Sequence, residues 1–329
     1  MPEKVLVCSR FPKSLMQRIG ERFDLLDAGG KPPHEMFAKD ELSSIRAIIT
    51  AGSTPLGGEM MDGMPKLGAI VCYGTGYDGV DLKAAADRGI AVGHSPGANA
   101  SAVADIALTL MLGAVRRLVV ADGYVRSGDW AASKPSPMMR SPQGMCGRKA
   151  GVYGMGAIGR KIADRAAAFE AEVGYFSRSR HDVSYRYFPS LEELAEWCSV
   201  LLIAVRAGPE TNQVVNADIL KRLGADGYVI NIARGSVIDE VALVAALKDG
   251  TIAGAGLDVY AREPNPPGEL TSLPNVVLTP HIGGHTLESH RAMQDCVIAN
   301  LAAYFEGKAL PHAVRAAAEA PYPTDKRAG

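Results

Sequence analysis

Three side chains late in the sequence have the types that a proton-moving site needs. His281, in "NVVLTPHIGGHT" (275–286), can carry and release a proton near neutral pH. Glu263, in "GAGLDVYAREP" (254–264), is a carboxylate that can orient an imidazole and favour its charged form. Arg234, in "VINIARGSVIDE" (229–240), offers a planar, permanently charged fork to an anion. Singly they are unremarkable, because arginine and glutamate usually face solvent and histidine often sits in loops. Each, however, follows an apolar run that reads as a strand. Ligands of doubly wound sheets bind at the carboxyl ends of the strands, so the three can converge on one crevice.

A second stretch, "VYGMGAIGRKIADRAAAFEAEVGYFSRSR" (152–180), holds a Gly-x-Gly-x-x-Gly run. Such runs are common in turns, but this one lies between a strand (149–153) and a helix, with another strand at 172–176. Gly154 then permits a tight turn, Gly156 lets backbone approach a pyrophosphate, and Gly159 lets helix pack on strand. The loop residues Met155, Ala157 and Ile158 complete the cradle, and the helix N-terminus offers free N–H groups to phosphate. The residue after Phe176 faces the adenosine ribose of a bound dinucleotide. An NAD site places Asp or Glu there; here the chain reads Ser177, Arg178, Ser179 and Arg180. A carboxylate repels the 2′-phosphate of NADP and arginine binds it, so NADP is the preferred cofactor, with NAD possible.

These residues need strands and crossover helices to place them, and the chain alternates the two almost throughout. "KVLVCS" (4–9), "RAIIT" (46–50), "GAIVCY" (68–73) and "IAVGH" (90–94) read as four strands of a first domain. "HSPGANASAVADIALTLMLGAVRRL" then turns into a long apolar helix, 101–120, with Asn99 or Ser101 as cap and Asp105 in or near its first turn. Six more strands follow: "KAGVYG", "AEVGYFS", "SVLLIAV", "GYVINIA", "TIAGAGLDV" and "NVVLTP". The expected division is 1–98, first part of a substrate domain; 99–284, a dinucleotide domain; and 285–329, a returning helix and a loose tail. The fold class is α/β with doubly wound parallel sheets.

Composition narrows the partners. The 329 residues suit two domains, and 35 basic against 36 acidic residues leave a formal charge of −1. That balance favours neither nucleic acid nor an anionic membrane. The start "MPEKVLVCSRF" lacks the form of a signal peptide, and the most apolar stretch, 102–115, is too short to span a bilayer. Five widely spaced cysteines form no CxxC and no disulfide framework, which suits reduced thiols and a cytoplasmic enzyme. His285 and His290 lie near His281, but no cysteine or carboxylate constellation makes them a zinc site, so no metal is expected. The segment 130–147, with three prolines and three methionines, has no periodicity and by itself reads as a surface loop.

From about residue 45 to 312 the chain resembles the D-isomer-specific 2-hydroxyacid dehydrogenases. The motifs are "GTGYDGVDL", "SAVADIALTLMLGAVRR", the glycine loop, "NIARGSVIDE", "GLDVYAREP" and "PHIGG". Within that family it is similar to NADPH-dependent glyoxylate/hydroxypyruvate reductases. The resemblance implies two doubly wound domains, Rossmann- and flavodoxin-like, with the active site in the cleft between them, and a homodimer in which 130–147 is an arm. It implies Arg234, Glu263 and His281 as catalytic residues: Arg234 anchors the carboxylate and polarises the carbonyl of a small 2-oxo acid, and His281 protonates the reduced oxygen. It further implies Ala51, Gly52, Gly74, Thr75 and Gly76 against the substrate, Thr75 also touching cofactor. Val205, Arg206, Ile232, Ala233, Asp258, Gly283 and Gly284 join the cofactor residues, as do Arg234 and His281. Asp78 is structural in this reading. Arg206 stands where the family pattern has proline, so its place among the cofactor residues is not the family's: it either reaches the adenosine phosphate or is solvated. Other substrates of the same family, such as 3-phosphoglycerate or a bulkier oxo acid, and a dinucleotide-sensing corepressor are the alternatives. Formate dehydrogenases are disfavoured because they carry glutamine in place of the histidine's glutamate.

Overall fold

The computed structural model describes residues 3–136 and 143–314. Part of the 130–147 segment and the tail beyond Val314 therefore lie outside the described residues. The chain divides into two compact units, one formed by residues up to Ala98 and from Arg291 onward, the other by Asn99–His290.

The first unit carries a parallel sheet of β1 (Lys4–Val7), β2 (Asp24–Asp27), β3 (Ala47–Thr50), β4 (Ala69–Cys72) and β5 (Ala91–Gly93), in the order β2-β1-β3-β4-β5. This is the flavodoxin-like order. The central strands "AIIT" and "AIVC" are buried at every residue, as parallel strands covered by helices on both faces must be. β2 was not expected from the sequence. Its "DLLD" buries one residue and pairs only with β1, so neither alternation nor a continuous apolar run marks it. Met293, Val297 and Leu301 of the helix Leu287–Phe305 pack into this unit's core with Val5, Val7, Ile49 and Val71.

The second unit carries seven parallel strands: β6 (Lys149–Tyr153), β7 (Glu172–Phe176), β8 (Arg186–Phe188), β9 (Val200–Ile203), β10 (Tyr228–Asn231), β11 (Gly254–Leu257) and β12 (Val276–Leu278). Their order is β12-β11-β10-β9-β6-β7-β8. The sequence reading finds six of them and misses the edge strand β8, where only Phe188 is buried. β6 pairs with both β7 and β9, so the winding reverses beside it and opens a crevice at those carboxyl ends.

The apolar helix is shorter than 101–120. It runs Ala100–Val115 and stops where Arg117 takes a left-handed φ of 52°, after which a second helix, Leu118–Arg126, begins. The first helix is mostly buried, packed on the helix Ala157–Ala168 and on β10 and β11. Asn99 is its N-cap, without a side-chain capping bond, and Asp105 lies beyond the first turn, paired with Arg165 at 2.9 Å. Among the described residues no helix is long and apolar enough to cross a membrane.

Candidate active site

His281, Glu263 and Arg234 stand just past the carboxyl ends of β12, β11 and β10, and the fold brings the first two into contact. Nδ1 of His281 lies 2.7 Å from Oε2 of Glu263. An ionised carboxylate only accepts, so Nδ1 carries the hydrogen and Nε2 is the nitrogen left to exchange a proton. The other carboxylate oxygen, Oε1, accepts the Tyr260 N–H at 3.1 Å. Burial alone would raise the Glu263 carboxyl. The bond from His281, its charge, the Tyr260 N–H and the charge of Arg234 outweigh it and hold Glu263 below the ordinary carboxylate range. Arg234 is thus near enough to act on Glu263 electrostatically. With 42% of the His281 and 34% of the Glu263 side chain exposed, a substrate can reach both.

The loop that presents His281 is heavily braced. His281 itself has φ 53°, an unfavourable conformation for a side chain with a Cβ. Asp258, 1% exposed, holds that turn from below. Its Oδ1 accepts the Thr279 hydroxyl at 2.6 Å and the Ile282 N–H at 2.8 Å, and its Oδ2 accepts the Gly283 N–H at 2.8 Å. The carboxylate of Asp258, which the resemblance assigns to the cofactor, is here engaged in positioning the histidine loop. Burial first, and the charge of Asp258 second, push the Tyr260 phenol to about 12, so it stays a donor to Thr279 O at 2.9 Å. Arg234 is fixed through buried Asn231, whose side chain donates to Arg234 O at 2.9 Å and accepts the Ala233 N–H at 3.0 Å. Ile232 and Ala233 are themselves buried.

Past the carboxyl end of β6, at the same carboxyl edge of the parallel sheet, the three glycines divide their tasks. Gly154 has φ 101°, which side chains rarely adopt, and a Cβ on Gly159 would lie 1.9 Å from Gly154 O. A Cβ on Gly156 would meet nothing within 4 Å, so that position faces open space. Gly156 is the N-cap of the helix Ala157–Ala168, whose first N–H groups lack partners within the helix. These features fit a dinucleotide pyrophosphate. Beyond β7, Ser177 is half-buried and its hydroxyl donates to Ser179 O at 2.6 Å, while Arg178 and Arg180 are exposed. Arg178 lies 3.8 Å from the Glu210 carboxylate. Glu210 sits on the short turn Pro209–Thr211 after β9, past half-buried Val205 and exposed Arg206. Gly284 packs against Asn99.

In the first unit, the expected substrate residues form two touching loops. A Cβ on Gly52 would sit 1.7 Å from Gly76 O, so only glycine allows this approach. Ser9 Oγ accepts the Ala51 N–H at 2.9 Å. Ser95 N–H donates to Gly74 O at 3.0 Å, the Thr75 hydroxyl donates to Ser95 O at 3.1 Å, and His94 Nδ1 lies 3.0 Å from Thr75 O. The rings of His285 and His290 pack edge to face, their centroids 5.3 Å apart. Sequence reasoning did not single out Asn231, Tyr260, Thr279 or Glu210. Only Asn231 carries a signal, as a polar residue closing an apolar strand.

The model of the family "D-isomer specific 2-hydroxyacid dehydrogenase, NAD binding domain" matches residues 108–283. Hydroxyphenylpyruvate reductase of Plectranthus scutellarioides is 37% identical over 307 residues, covering 93% of this chain and 97% of the relative. The 2-ketogluconate reductase of Gluconobacter oxydans is 41% identical over 273 residues, covering 83% and 87%. Among solved structures, the NADPH-dependent glyoxylate/hydroxypyruvate reductase of Sinorhizobium meliloti, in complex with NADP and malonate, superimposes with a TM-score of 0.89 at 36% identity, covering 95% and 97%.

Proposed function

Because the chain belongs to the D-isomer-specific 2-hydroxyacid dehydrogenase family, we propose that it reduces a small 2-oxo acid, such as glyoxylate or hydroxypyruvate, to the D-2-hydroxy acid with NADPH as reductant. The observation that carries this reading is the 2.7 Å bond from His281 Nδ1 to an ionised Glu263, within electrostatic reach of Arg234. When bound, the reduced nicotinamide supplies the hydride. Arg234 pairs with the substrate carboxylate and polarises its carbonyl. As charge develops on the carbonyl oxygen, imidazolium His281 releases the Nε2 proton to it and keeps the Nδ1 hydrogen on Glu263. Glu263 remains a carboxylate throughout.

Gly154, Met155, Gly156, Ala157, Ile158 and Gly159 would hold the pyrophosphate, and Ile232, Ala233, Gly283 and Gly284 would serve the nicotinamide end. Ser177, Arg178, Ser179 and Arg180 recognise the adenosine end. The backbone N–H groups of Gly74, Thr75 and Gly76, with Ala51 and Gly52, meet the substrate. The relatives bear names of 2-oxo acids from small to aromatic, so substrate size is the finer part of the proposal. The protein works as a homodimer, in a reducing compartment such as the cytoplasm, where its five free cysteines persist. Support for the dimer comes from Leu118, Val119, Val125 and Trp130, each more than half exposed, rather than from the buried helix Ala100–Val115.

The test is steady-state kinetics with NADPH and NADH against glyoxylate, hydroxypyruvate, hydroxyphenylpyruvate and 2-ketogluconate, followed by the absorbance of reduced nicotinamide. The expected result is a higher kcat/KM with NADPH and with the two smallest acids. No turnover of any 2-oxo acid with either cofactor would overturn the reading.

A further inference from the structure

The loop that carries Arg178 and Arg180 leaves β7 at Phe176 and is tied down again at His181. Tyr175, 1% exposed, is the penultimate residue of β7. Its hydroxyl accepts the His181 N–H at 2.9 Å and donates to His181 O at 3.2 Å, so both backbone polar groups of His181 are held by one buried phenol. The side chain is held from another element. Arg160 Nη2 lies 3.2 Å from His181 Nδ1. Guanidinium only donates, so Nδ1 accepts, and the ring is neutral with its hydrogen on Nε2. Burial, and then the charge of Arg160, lower the His181 pKa, in keeping with that neutral ring.

Arg160 directly follows Gly159 on the helix that opens over the glycine loop. It therefore couples the pyrophosphate-facing helix to the far end of the arginine loop, while Ser177 ties the near end by its bond to Ser179 O. Between these ties the two arginines project into solvent from a loop already shaped. A preshaped loop pays less ordering entropy when it meets an anion than a free one.

We propose that Arg160 and His181 are a positioning pair that sets NADP selectivity, holding the arginine loop in the shape that meets the 2′-phosphate without touching the phosphate themselves. This rests on the NADPH reading above. The chemistry recognised is a phosphomonoester on the adenosine ribose, and NAD, which lacks it, is the matched control.

The experiment is calorimetric binding of NADP+ and NAD+ to the wild type, Arg160→Met, His181→Leu, His181→Asn and the Arg160→Met/His181→Leu double variant. Methionine keeps the aliphatic stem without the donor. Asparagine offers Oδ1 at the reach of Nδ1 and keeps the acceptor. Arg160→Met and His181→Leu should each weaken NADP+ by roughly three- to tenfold, the net worth of one hydrogen bond, and leave NAD+ unchanged. His181→Asn should retain NADP+ affinity, and the double variant should be no weaker than the weaker single one. Nitrogen NMR of His181 should show the Nε2–H tautomer in the wild type and its loss in Arg160→Met. Parallel loss of NADP+ and NAD+ would reduce the pair to helix stability, and additive losses would make Arg160 a phosphate ligand; either overturns the proposal. A wild type that favours NADP+ with variants that keep the preference overturns the pair alone. Equal binding of both dinucleotides by the wild type overturns the cofactor reading itself and the selectivity role with it.

Discussion

Two corners of the second unit, the His281 loop and the arginine loop, are built on opposite plans. Asp258 gives the His281 loop three bonds of 2.6–2.8 Å from a buried carboxylate, and Glu263 gives it a fourth, at 2.7 Å. The arginine loop is tied near its ends, and Arg178 and Arg180 at its tip are exposed, Arg178 lying 3.8 Å from the Glu210 carboxylate. The difference follows from what each must do. Proton transfer needs one nitrogen at one place and angle, and braces are the way to hold a turn whose φ is unfavourable. Attraction of a phosphate dianion needs charge and reach, which a long solvated side chain supplies once the backbone it extends from is held in place.

The largest effect should come from the braced corner. His281→Gln should cut kcat by roughly 10²–10⁴, the usual worth of a general acid, far more than it weakens NADP+ binding by calorimetry. Near-normal kcat would remove the proton-donor role and make the braces mere packing. Next is the arginine corner. Replacing Arg178 and Arg180 together with Ala should weaken NADPH by about ten- to a hundredfold, from charge-assisted contacts of roughly 1.5–3 kcal/mol, and leave NADH unchanged. Losing both cofactors equally would show that the arginines do not select. The contrast predicted is therefore kcat lost at one corner and cofactor affinity lost at the other.

A smaller effect separates the corners by pH. The Glu263 pKa is depressed in the folded protein, so its stabilising contribution is present above the unfolded carboxyl pKa and fades as pH falls through the folded value. The difference in Tm between wild type and Glu263→Gln should thus exist near neutrality and close in acid, below the ordinary carboxylate range. It should be small, since both side chains of the pair are partly exposed. A gap that stays constant into acid would mean that the glutamine acts through packing and not through charge.

How much of this was legible in the sequence differs between the corners as well. Arg234, Glu263, His281 and the glycine loop could be placed because each follows an apolar run, and strand ends gather ligands in this fold class. The braces could not. Asp258, Tyr260 and Thr279 act through register across β11 and β12, which one-dimensional spacing does not display. The edge strands β2 and β8 escaped because each buries a single residue. The end of the apolar helix escaped because "AVRRLVV" keeps its helical composition through Arg117, and only the left-handed φ there stops the helix. The arginines after β7 were legible, but the Arg160–His181 tie spans 21 positions and two elements.

The smallest effect sharpens the comparison most, because its sign is reversed. In the braced corner a carboxylate supports function, so removing Glu263 should only do harm. In the arginine corner Glu210 is a carboxylate facing Arg178, a cation that the NADPH proposal assigns to the 2′-phosphate. It is held on the Pro209–Thr211 turn, where the Thr211 hydroxyl accepts the Gly208 N–H at 2.9 Å and donates to Arg206 O at 3.0 Å, so it stays near Arg178. An exposed ion pair of this kind is worth about 0.2–1 kcal/mol. A bound 2′-phosphate has to compete with it for Arg178 and lies near a like charge. Glu210→Gln should therefore tighten NADP+ binding by up to about fivefold at low salt, with NAD+ unchanged. The gain should shrink as salt is raised, because charges so exposed are screened. Calorimetric titrations of both dinucleotides at low and high salt measure it. If Glu210→Gln weakens NADP+, Glu210 is a brace like Glu263 and the two corners follow one plan after all; if it tightens NADP+ and NAD+ alike, the carboxylate does not act through the phosphate.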